Sequence, residues 1–588
     1  MILGKRTRYG GTLRASDIGG EVVLCGWINT RRDHGGVVFV DLRDHTGLVQ
    51  VVFKPEVSPE AHAAADALRG EFVIAVTGRV EHREAGNVNP KLPTGEVEVL
   101  ASRLEVLNTS LPPQFDLDGE VDERLRLKYR YLELRRPPMQ HNLRLRSEAA
   151  RVVRDYLAGQ GFVEVETPVL TRSTPEGARD YLVPSRVSPG QFYALPQSPQ
   201  LFKQLLMVGG LDRYYQIVKC FRDEDLRGNR QPEFTQVDLE MAFIDREDVM
   251  ALIDGLFARL WSELLGVKVP TPIARMRYQQ AMDEYGSDAP DLRFGLKLVQ
   301  LSDLVRGSGF QVFAQAVEDG GEVKAIRVPG GGTLSRKELD ELTEFVRIYG
   351  AKGMAWVKRQ PDGWQSPIAK FFTDAQRTAI EQRLELAPGD LAVFCADSTD
   401  VVADALGNLR KELARRLELV SSKDFHFVWV TDFPAFERDK EAKRLAAKHH
   451  PFTAPVLEDL EAYEQSDPLK IRAQAYDIVL NGVELGGGSI RIHRSELQSR
   501  MFRLLGISEA DAQEKFGFLL EAFQYGAPPH GGIALGFDRI LMFMVDTLSI
   551  RDVIAFPKTQ RAADLMVNAP APVAEEQLRD LGIRLRRA

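Results

Sequence analysis

Alternation of apolar and polar residues marks five short strands in the first hundred residues, over 21–28, 36–42, 48–53, 72–78 and 96–100. An Ala-rich, helix-like stretch at 59–69 separates the third from the fourth. That order predicts a small OB-type β-barrel over residues 1–106. A polar stretch follows, with Pro112-Pro113 inside it and Pro137-Pro138 at its end, and reads as a hinge over 107–139. Leu145, Ala149, Val152, Val153, Tyr156 and Leu157 then recur at 3.6-residue spacing, a helix that Gly161 would stop. A strand-like run at 163–170 contains Pro168. Two β-patterned runs, 214–220 and 233–240, flank a loop rich in Arg, Asp, Asn and Gly. A helix-like apolar run at 540–544 directly follows Gly536-Phe537-Asp538-Arg539. Between 286 and 420 the pattern changes to that of a separate α+β unit. The chain therefore reads as α+β and multidomain. Its core is split into 140–285 and 421–588 around the unit at 286–420, and a charged tail from about Val573 is expected to fray or wrap the surface.

Composition narrows the class. At 588 residues the chain exceeds what one core usually supports. Apolar content of 44% with 27% charged residues is that of a globular protein in water. No apolar run is long enough to span a bilayer, and MILGKRTRYGG has no signal-peptide core, so a cytoplasmic protein without membrane partners is expected. Cys25, Cys220 and Cys395 lack metal spacing and read as buried reduced thiols. A net charge of −8 argues against non-specific coating of nucleic acid, yet permits a local basic face for a specific nucleic-acid partner.

The candidate chemistry sits at the ends of the β-patterned runs. Arg222 and Glu224 close the first run, and Arg539 opens the helix-like run at 540–544. An arginine's planar fork donates two hydrogen bonds to phosphate oxygens, so two arginines flanked by core-like runs point to a polyphosphate clamp. Lys203, in Gln197-Ser198-Pro199-Gln200-Leu201-Phe202-Lys203-Gln204, and Arg491, just after Glu484 and Gly486-Gly487-Gly488, add two cations near that centre. They imply an acidic side chain on the substrate. A lone Lys or Arg is more often a solvated surface charge.

The stretches around Arg222 and Arg539 resemble motifs 2 and 3 of class II aminoacyl-tRNA synthetases, and the helix and strand ending at Pro168 resemble motif 1, the family's dimer interface. The local pattern there fits an edge strand ended by proline equally well. Over essentially the whole chain the resemblance is to the bacterial aspartyl-tRNA synthetases. It implies an OB-fold anticodon-binding domain, a class II core on an antiparallel sheet and a bacterial-type insertion at 286–420. The implied activity is formation of aspartyl-adenylate from L-aspartate and ATP with Mg²⁺, then transfer to tRNA by a homodimer. Arg222, Glu484 and Arg539 would be catalytic. Aspartate contacts would fall on Glu176, Gln200, Lys203, Arg222, Asp238, His449 and Arg491. ATP contacts would fall on Arg222, Asp223, Glu224, Gln231, Phe234, Glu484, Gly536, Phe537, Asp538 and Arg539, and metal contacts on Asp477 and Glu484.

Anticodon choice would lie in the barrel, where His34, Phe39, Gln50, Gly86 and Glu98 are the candidates. Taken alone, Phe39 reads as a core aromatic. His34 and Gly86 resemble the relaxed branch of the family, which charges tRNA(Asn) as well as tRNA(Asp) and so depends on a tRNA-dependent amidotransferase. The alternative is a strict tRNA(Asp) enzyme. A tRNA-binding paralogue without catalysis would have lost Arg222, Glu484 or Arg539. An ammonia-using asparagine synthetase would lack the barrel.

Overall fold

The computed structural model describes residues 4–84, 86–173, 178–224, 226, 228–439 and 444–586. These divide into two compact units, 1–144 with 555–559 and 563–571, and 145–554 with 560–562 and 572–588.

The first unit contains a closed five-stranded barrel of Glu21–His34, Val37–Asp44, Gly47–Phe53, Val73–His82 and Val97–Asn108. Helix Pro59–Asp66 lies between the third and fourth strands in sequence, capped by the Ser58 side chain on the Ala61 amide. Val38, Val40 and Leu42 point inward and are almost fully buried. Phe39, between two of them, is only half-buried on the outer face, contrary to the reading of an aromatic as core. Strict alternation decides its side, not its hydrophobicity. The first and fifth strands outrun the predicted segments, to His34 and Asn108, because antiparallel pairing with the second and fourth strands carries on over residues whose own pattern is polar. The stretch read as a hinge carries two short helices, Glu123–Lys128 and Arg130–Glu133.

The second unit is built on an eight-stranded sheet in the order Arg275–Arg277, Phe427–Thr431, Ala475–Leu480, Val483–Ile490, His530–Gly536, Glu233–Ala242, Arg213–Phe221, Val163–Glu164. Its centre is antiparallel and only its two outermost pairs are parallel. Val249, Ile253, Leu256, Phe257 and Leu260 recur along helix Arg246–Leu265 and pack it, with helix Phe537–Met544 and the helix containing Val152 and Leu157, onto one face. The strand read at 163–170 is two residues long, since an edge strand has one neighbour and Pro168 has no N–H to donate.

Residues 298–397 contain a second, antiparallel sheet, ordered Leu298–Gln300, Glu322–Val328, Leu391–Asp397, Ala355–Gln360, Gly363–Gln365. Separate apolar clusters cover it, one including Leu339, Leu342, Leu406 and Leu409, the other Phe313, Phe372 and Ile380. Part of the tail forms a helix, Glu575–Asp580. Among the described residues no helix is long and apolar enough to cross a membrane, and all three cysteines are buried.

Candidate active site

The large sheet of the second unit bears a cavity of about 480 Å³ on one face, lined from strands Glu233–Ala242, Ala475–Leu480, Val483–Ile490 and His530–Gly536, from helices Gln200–Val208 and Phe537–Met544, and by Arg222, just past the end of strand Arg213–Phe221. At one end the charged side chains are buried and paired. Lys203 Nζ donates to Asp238 Oδ1 at 2.7 Å and lies 3.3 Å from Glu240 Oε2. Arg491 Nε donates to Glu240 Oε1 at 2.9 Å, and its Nη1 to Ser489 Oγ at 2.7 Å. Asp238 and Glu240 are two residues apart on one strand, so both carboxylates emerge on the same face. Their side chains are 1% and 0% exposed. Burial pushes Asp238 up to about 6, against the pull of Lys203. Glu240 is also penalised by burial, but Arg491 and Lys203 outweigh it and hold the carboxyl below its ordinary value. Among the described residues Asp238 Oδ2 is buried without a hydrogen-bond partner.

His449 and His450 form the neighbouring wall. His449 packs edge-on against Phe433, with Nε2 3.7 Å from Asp477 Oδ1. His450 is stacked on Phe452, and its Nδ1 accepts from the Phe452 amide at 3.3 Å. Burial, reinforced by Arg491 and Lys203, pushes His450 down to about 3 and keeps it neutral.

The opposite end is open. The Arg222 guanidinium lies 5.2 Å from the Phe234 ring centre, and its Nε is buried with no hydrogen-bond partner among the described residues. Arg230 Nη1 lies 3.2 Å from Glu224 Oε2. Arg539 Nη1 donates to the Glu484 carbonyl at 2.9 Å, and lies 3.8 Å from Glu484 Oε2. A bulge at Leu485 breaks the alternation of its strand and turns Glu484 to the side of Gly487, opposite Asp477. A side chain at 487 would put its Cβ 2.6 Å from Asp477 Oδ1 and 3.5 Å from Glu484 Oε1, so only glycine leaves room between the two carboxylates. Glu484 is half-exposed to the cavity but walled in by protein, and this desolvation, then Asp477, raises its pKa. Asp477 Oδ1 is buried and unpaired by hydrogen bonds among the described residues. Two adjacent carboxylates that disfavour each other's charge, one with an orphaned oxygen, suit a hard dication.

Most of the sequence-derived residues meet in this cavity. They are Gln200, Lys203, Arg222, Glu224, Gln231, Phe234, Asp238, His449, Asp477, Glu484, Arg491, Gly536, Asp538 and Arg539. Two do not line it. Asp223 faces Arg179 at 3.6 Å, and Phe537 is buried in the core beneath the Arg146 guanidinium. Asp538 lines the wall but is committed to Arg146 at 2.6 Å and to the Thr235 amide at 2.7 Å, which makes it a brace. Glu176 lies outside the described residues. Ser489, Arg230, Lys448 and Asp288 line the cavity without having been singled out, and Glu240, behind the wall, pairs with Lys203 and Arg491. Glu240 was findable, because a carboxylate two residues from Asp238 on a strand must share its face. Asp288 and Lys448 carry no sequence signal; only folding brings them in.

On the barrel, Arg32, Asp41, Gln50 and Glu98 form a chain of contacts on the outer face. Arg32 Nη2 donates to Asp41 at 3.0 Å and to Gln50 at 3.4 Å, and Gln50 Nε2 donates to Glu98 at 2.8 Å. His34 is exposed beside the Gly35-Gly36 turn, and Gly86 is exposed with open space where a Cβ would stand.

Residues 122–560 match the family of class II tRNA synthetases (D, K and N), and residues 22–107 match the OB-fold nucleic acid binding domain. Among curated proteins, the aspartate–tRNA(Asp/Asn) ligase of Geotalea uraniireducens (strain Rf4) is 60% identical over 99% of this chain and 98% of its own length. The protein of that name from Desulfatibacillum aliphaticivorans is 56% identical, again over 99% and 98%. Among solved structures, asparaginyl-tRNA synthetase from Pyrococcus horikoshii, complexed with asparaginyl-adenylate, superposes with a TM-score of 0.58 at 18% identity, over 94% of this chain and 98% of that one, a likeness of fold. The chain is therefore a member of the class II tRNA synthetases, an aminoacyl-tRNA ligase with an N-terminal OB-fold domain.

Proposed function

We propose that this enzyme activates L-aspartate with ATP and transfers it to tRNA(Asp) and tRNA(Asn). The observation that carries the amino-acid assignment is the buried Lys203–Asp238–Glu240–Arg491 set at the closed end of the cavity. Two cations held by two carboxylates offer donors to a substrate carboxylate at little reorganisation cost. Asp238 Oδ2, unpaired, would accept the substrate's α-ammonium, with Gln200 in the same cavity wall; Glu176 is the other candidate for that ammonium. His449 completes the pocket wall. The substrate's α-carboxylate is already a nucleophile near neutral pH, so the protein's task is alignment and charge neutralisation.

Arg222 would hold the α-phosphate and the attacking carboxylate together, and Arg539 would grip the γ-phosphate. Phe234 would support the adenine ring, Glu224 would accept from its amino group, and Gln231 and Gly536 would line the nucleotide's bed. Asp477 and Glu484 would hold Mg²⁺, which supplies charge neutralisation on the phosphates when bound. ATP–pyrophosphate exchange should require L-aspartate and Mg²⁺. Equal exchange with lysine or asparagine would defeat the assignment.

The relaxed tRNA choice is supported by His34 and Gly86 and by the names of the relatives. Phe39 on the outer barrel face could stack a base, with Gln50 and Glu98 reading base edges beside it. Charging of tRNA(Asn) makes a tRNA-dependent amidotransferase a functional partner; a strict enzyme would leave tRNA(Asn) uncharged. A homodimer is supported by exposed apolar residues around the edge strand and the nearby hairpin, Val163, Val169, Leu170, Leu182, Val187 and Phe192. A monomer by light scattering at micromolar concentration, with full activity, would contradict it. Residues 286–420 would be the bacterial-type insertion, and the enzyme would work in the cytoplasm.

A further inference from the structure

The segment that leads from the large sheet's unit into the second sheet passes the cavity, and its packing is unusually specified. Helix Tyr278–Tyr285 ends at Gly286, whose φ of +64° is left-handed. There it meets helix Thr399–Arg416 at backbone distance. A Cβ on Gly407 would stand 2.5 Å from the Gly286 carbonyl oxygen, and one on Gly286 would stand 3.0 Å from the Gly407 Cα. One turn further along the second helix, Arg410 is fully buried. Its Nη2 donates to the carbonyls of Asp291 and Gly295, both at 3.0 Å, and to that of Phe294 at 3.4 Å; its Nε donates to Leu296 at 3.3 Å. The guanidinium is sandwiched between Phe294 and Tyr285, 4.3 and 4.9 Å from their ring centres. Leu296 is held at φ +50°, a strained conformation for leucine that such a clamp can maintain.

Two features of the clamped segment reach the catalytic end. Asp288 lines the cavity beside Lys448, His449, Asp477 and Glu484. Asp291, buried and gripped by Arg293 at 2.7 Å, packs on Gly482, where a Cβ would stand 3.1 Å from the Asp291 Cβ. Gly482 is in the turn joining strands Ala475–Leu480 and Val483–Ile490, which carry Asp477 and Glu484. Arg410 therefore contacts a loop that contacts the hairpin bearing both carboxylates.

We propose that Arg410 is a positioning residue for the phosphate end of the active site: it clamps residues 287–296 so that Asp288 stays in the cavity wall and Asp291 braces the Gly482 turn. Through this clamp the second sheet's helix sets the geometry of Asp477 and Glu484 without touching a substrate. The proposal rests on reading that end as the nucleotide site, and the unmodified enzyme tests the reading first: absence of aspartate-dependent ATP–pyrophosphate exchange would remove the reading, not the clamp.

The clamp itself is tested with R410M, D288N and the double variant. R410M should raise the KM for ATP about tenfold and shift the Mg²⁺ requirement upward, with the KM for aspartate changed less than about twofold. D288N should act in the same direction but less. The double variant should be no worse than R410M alone, since both act through one segment. Hydrogen exchange should be faster at residues 481–484 in R410M than in the unmodified enzyme, a readout independent of turnover. An unchanged ATP KM, an equal rise in both KM values, multiplicative effects in the double variant or unchanged exchange at 481–484 would overturn the proposal. If R410M does not fold, D288N decides alone: an unaltered ATP KM and Mg²⁺ requirement would refute the role of the segment.

Discussion

At the closed end of the cavity Lys203, Asp238, Glu240 and Arg491 are at most 6% exposed and their charges sum to zero. At the open end Glu484 is 48% and Arg230 41% exposed, and the two wall carboxylates, Asp477 and Glu484, lie together. On the function proposed above, the contrast follows from the ligand each end would take. A small amino acid with two carboxylates must be told from its amide, which demands fixed, desolvated donors. A triphosphate brings large charge and, with Mg²⁺, its own counter-ion, so that end can stay solvated and adjust. Damage at the closed end should therefore be severe and specific to the amino acid, and damage at the open end milder and specific to the nucleotide.

The sharpest way to break this comparison is R491L. It removes a buried cation and leaves Glu240 without its main partner, at a cost of about 3–5 kcal/mol. The kcat/KM for aspartate in pyrophosphate exchange should fall by the corresponding factor with the KM for ATP nearly unchanged; a parallel loss for ATP would show that the two ends are not separate. E240Q keeps the shape but weakens charge-assisted bonds to Arg491 and Lys203, worth about 1.5–3 kcal/mol. It should raise the KM for aspartate more than the KM for ATP, and an equal effect would mean that Glu240 holds the sheet and not the pocket. R539A, at the open end, should cost about 1–2 kcal/mol, read in the ATP KM and in kcat.

Asp238 provides a pH test. Its pKa of about 6 means that it gains a proton as pH falls through that value and ceases to pair an ammonium. Aspartate binding should weaken below about pH 6, and D238N should lose that inflection along with most of its affinity. For stability the sign is opposite to that of an ordinary paired carboxylate. The folded pKa lies above an unfolded aspartate's value of about 3.9, so folding takes up a proton between the two, and this group makes the fold less stable as pH rises across that window. A D238N melting temperature that gains on the unmodified enzyme from pH 4 to pH 6 would bear this out. The smallest effect belongs to the barrel. H34L with G86K should raise the preference for tRNA(Asp) about tenfold, or 1.4 kcal/mol, and leave pyrophosphate exchange untouched. The open space around Gly86 admits the lysine without strain. Negligible charging of tRNA(Asn) by the unmodified enzyme would make both positions neutral.

Local pattern by itself determined the five barrel strands, the strand–loop–strand around Arg222 and the helix after Arg539, because a run's periodicity records which face it buries. Residue chemistry also pointed to Arg222, Lys203, Arg491 and Arg539, since phosphate and carboxylate recognition demand their donors; Gln200, Asp238, His449, Asp477 and Glu484 came from the family resemblance. The tertiary structure decided what depends on neighbours distant in sequence. Phe39 faces outward because barrel register, not hydrophobicity, assigns its side. Asp538, motif-like in sequence, is spent on Arg146 and the Thr235 amide, and Asp223 turns to Arg179. Glu484 meets Asp477 only through a bulge, and Asp288 enters the wall only because Arg410, more than a hundred residues later, clamps its loop. A side chain's type limits what it can bind; which partner it binds depends on closures of the chain that no local window of sequence contains.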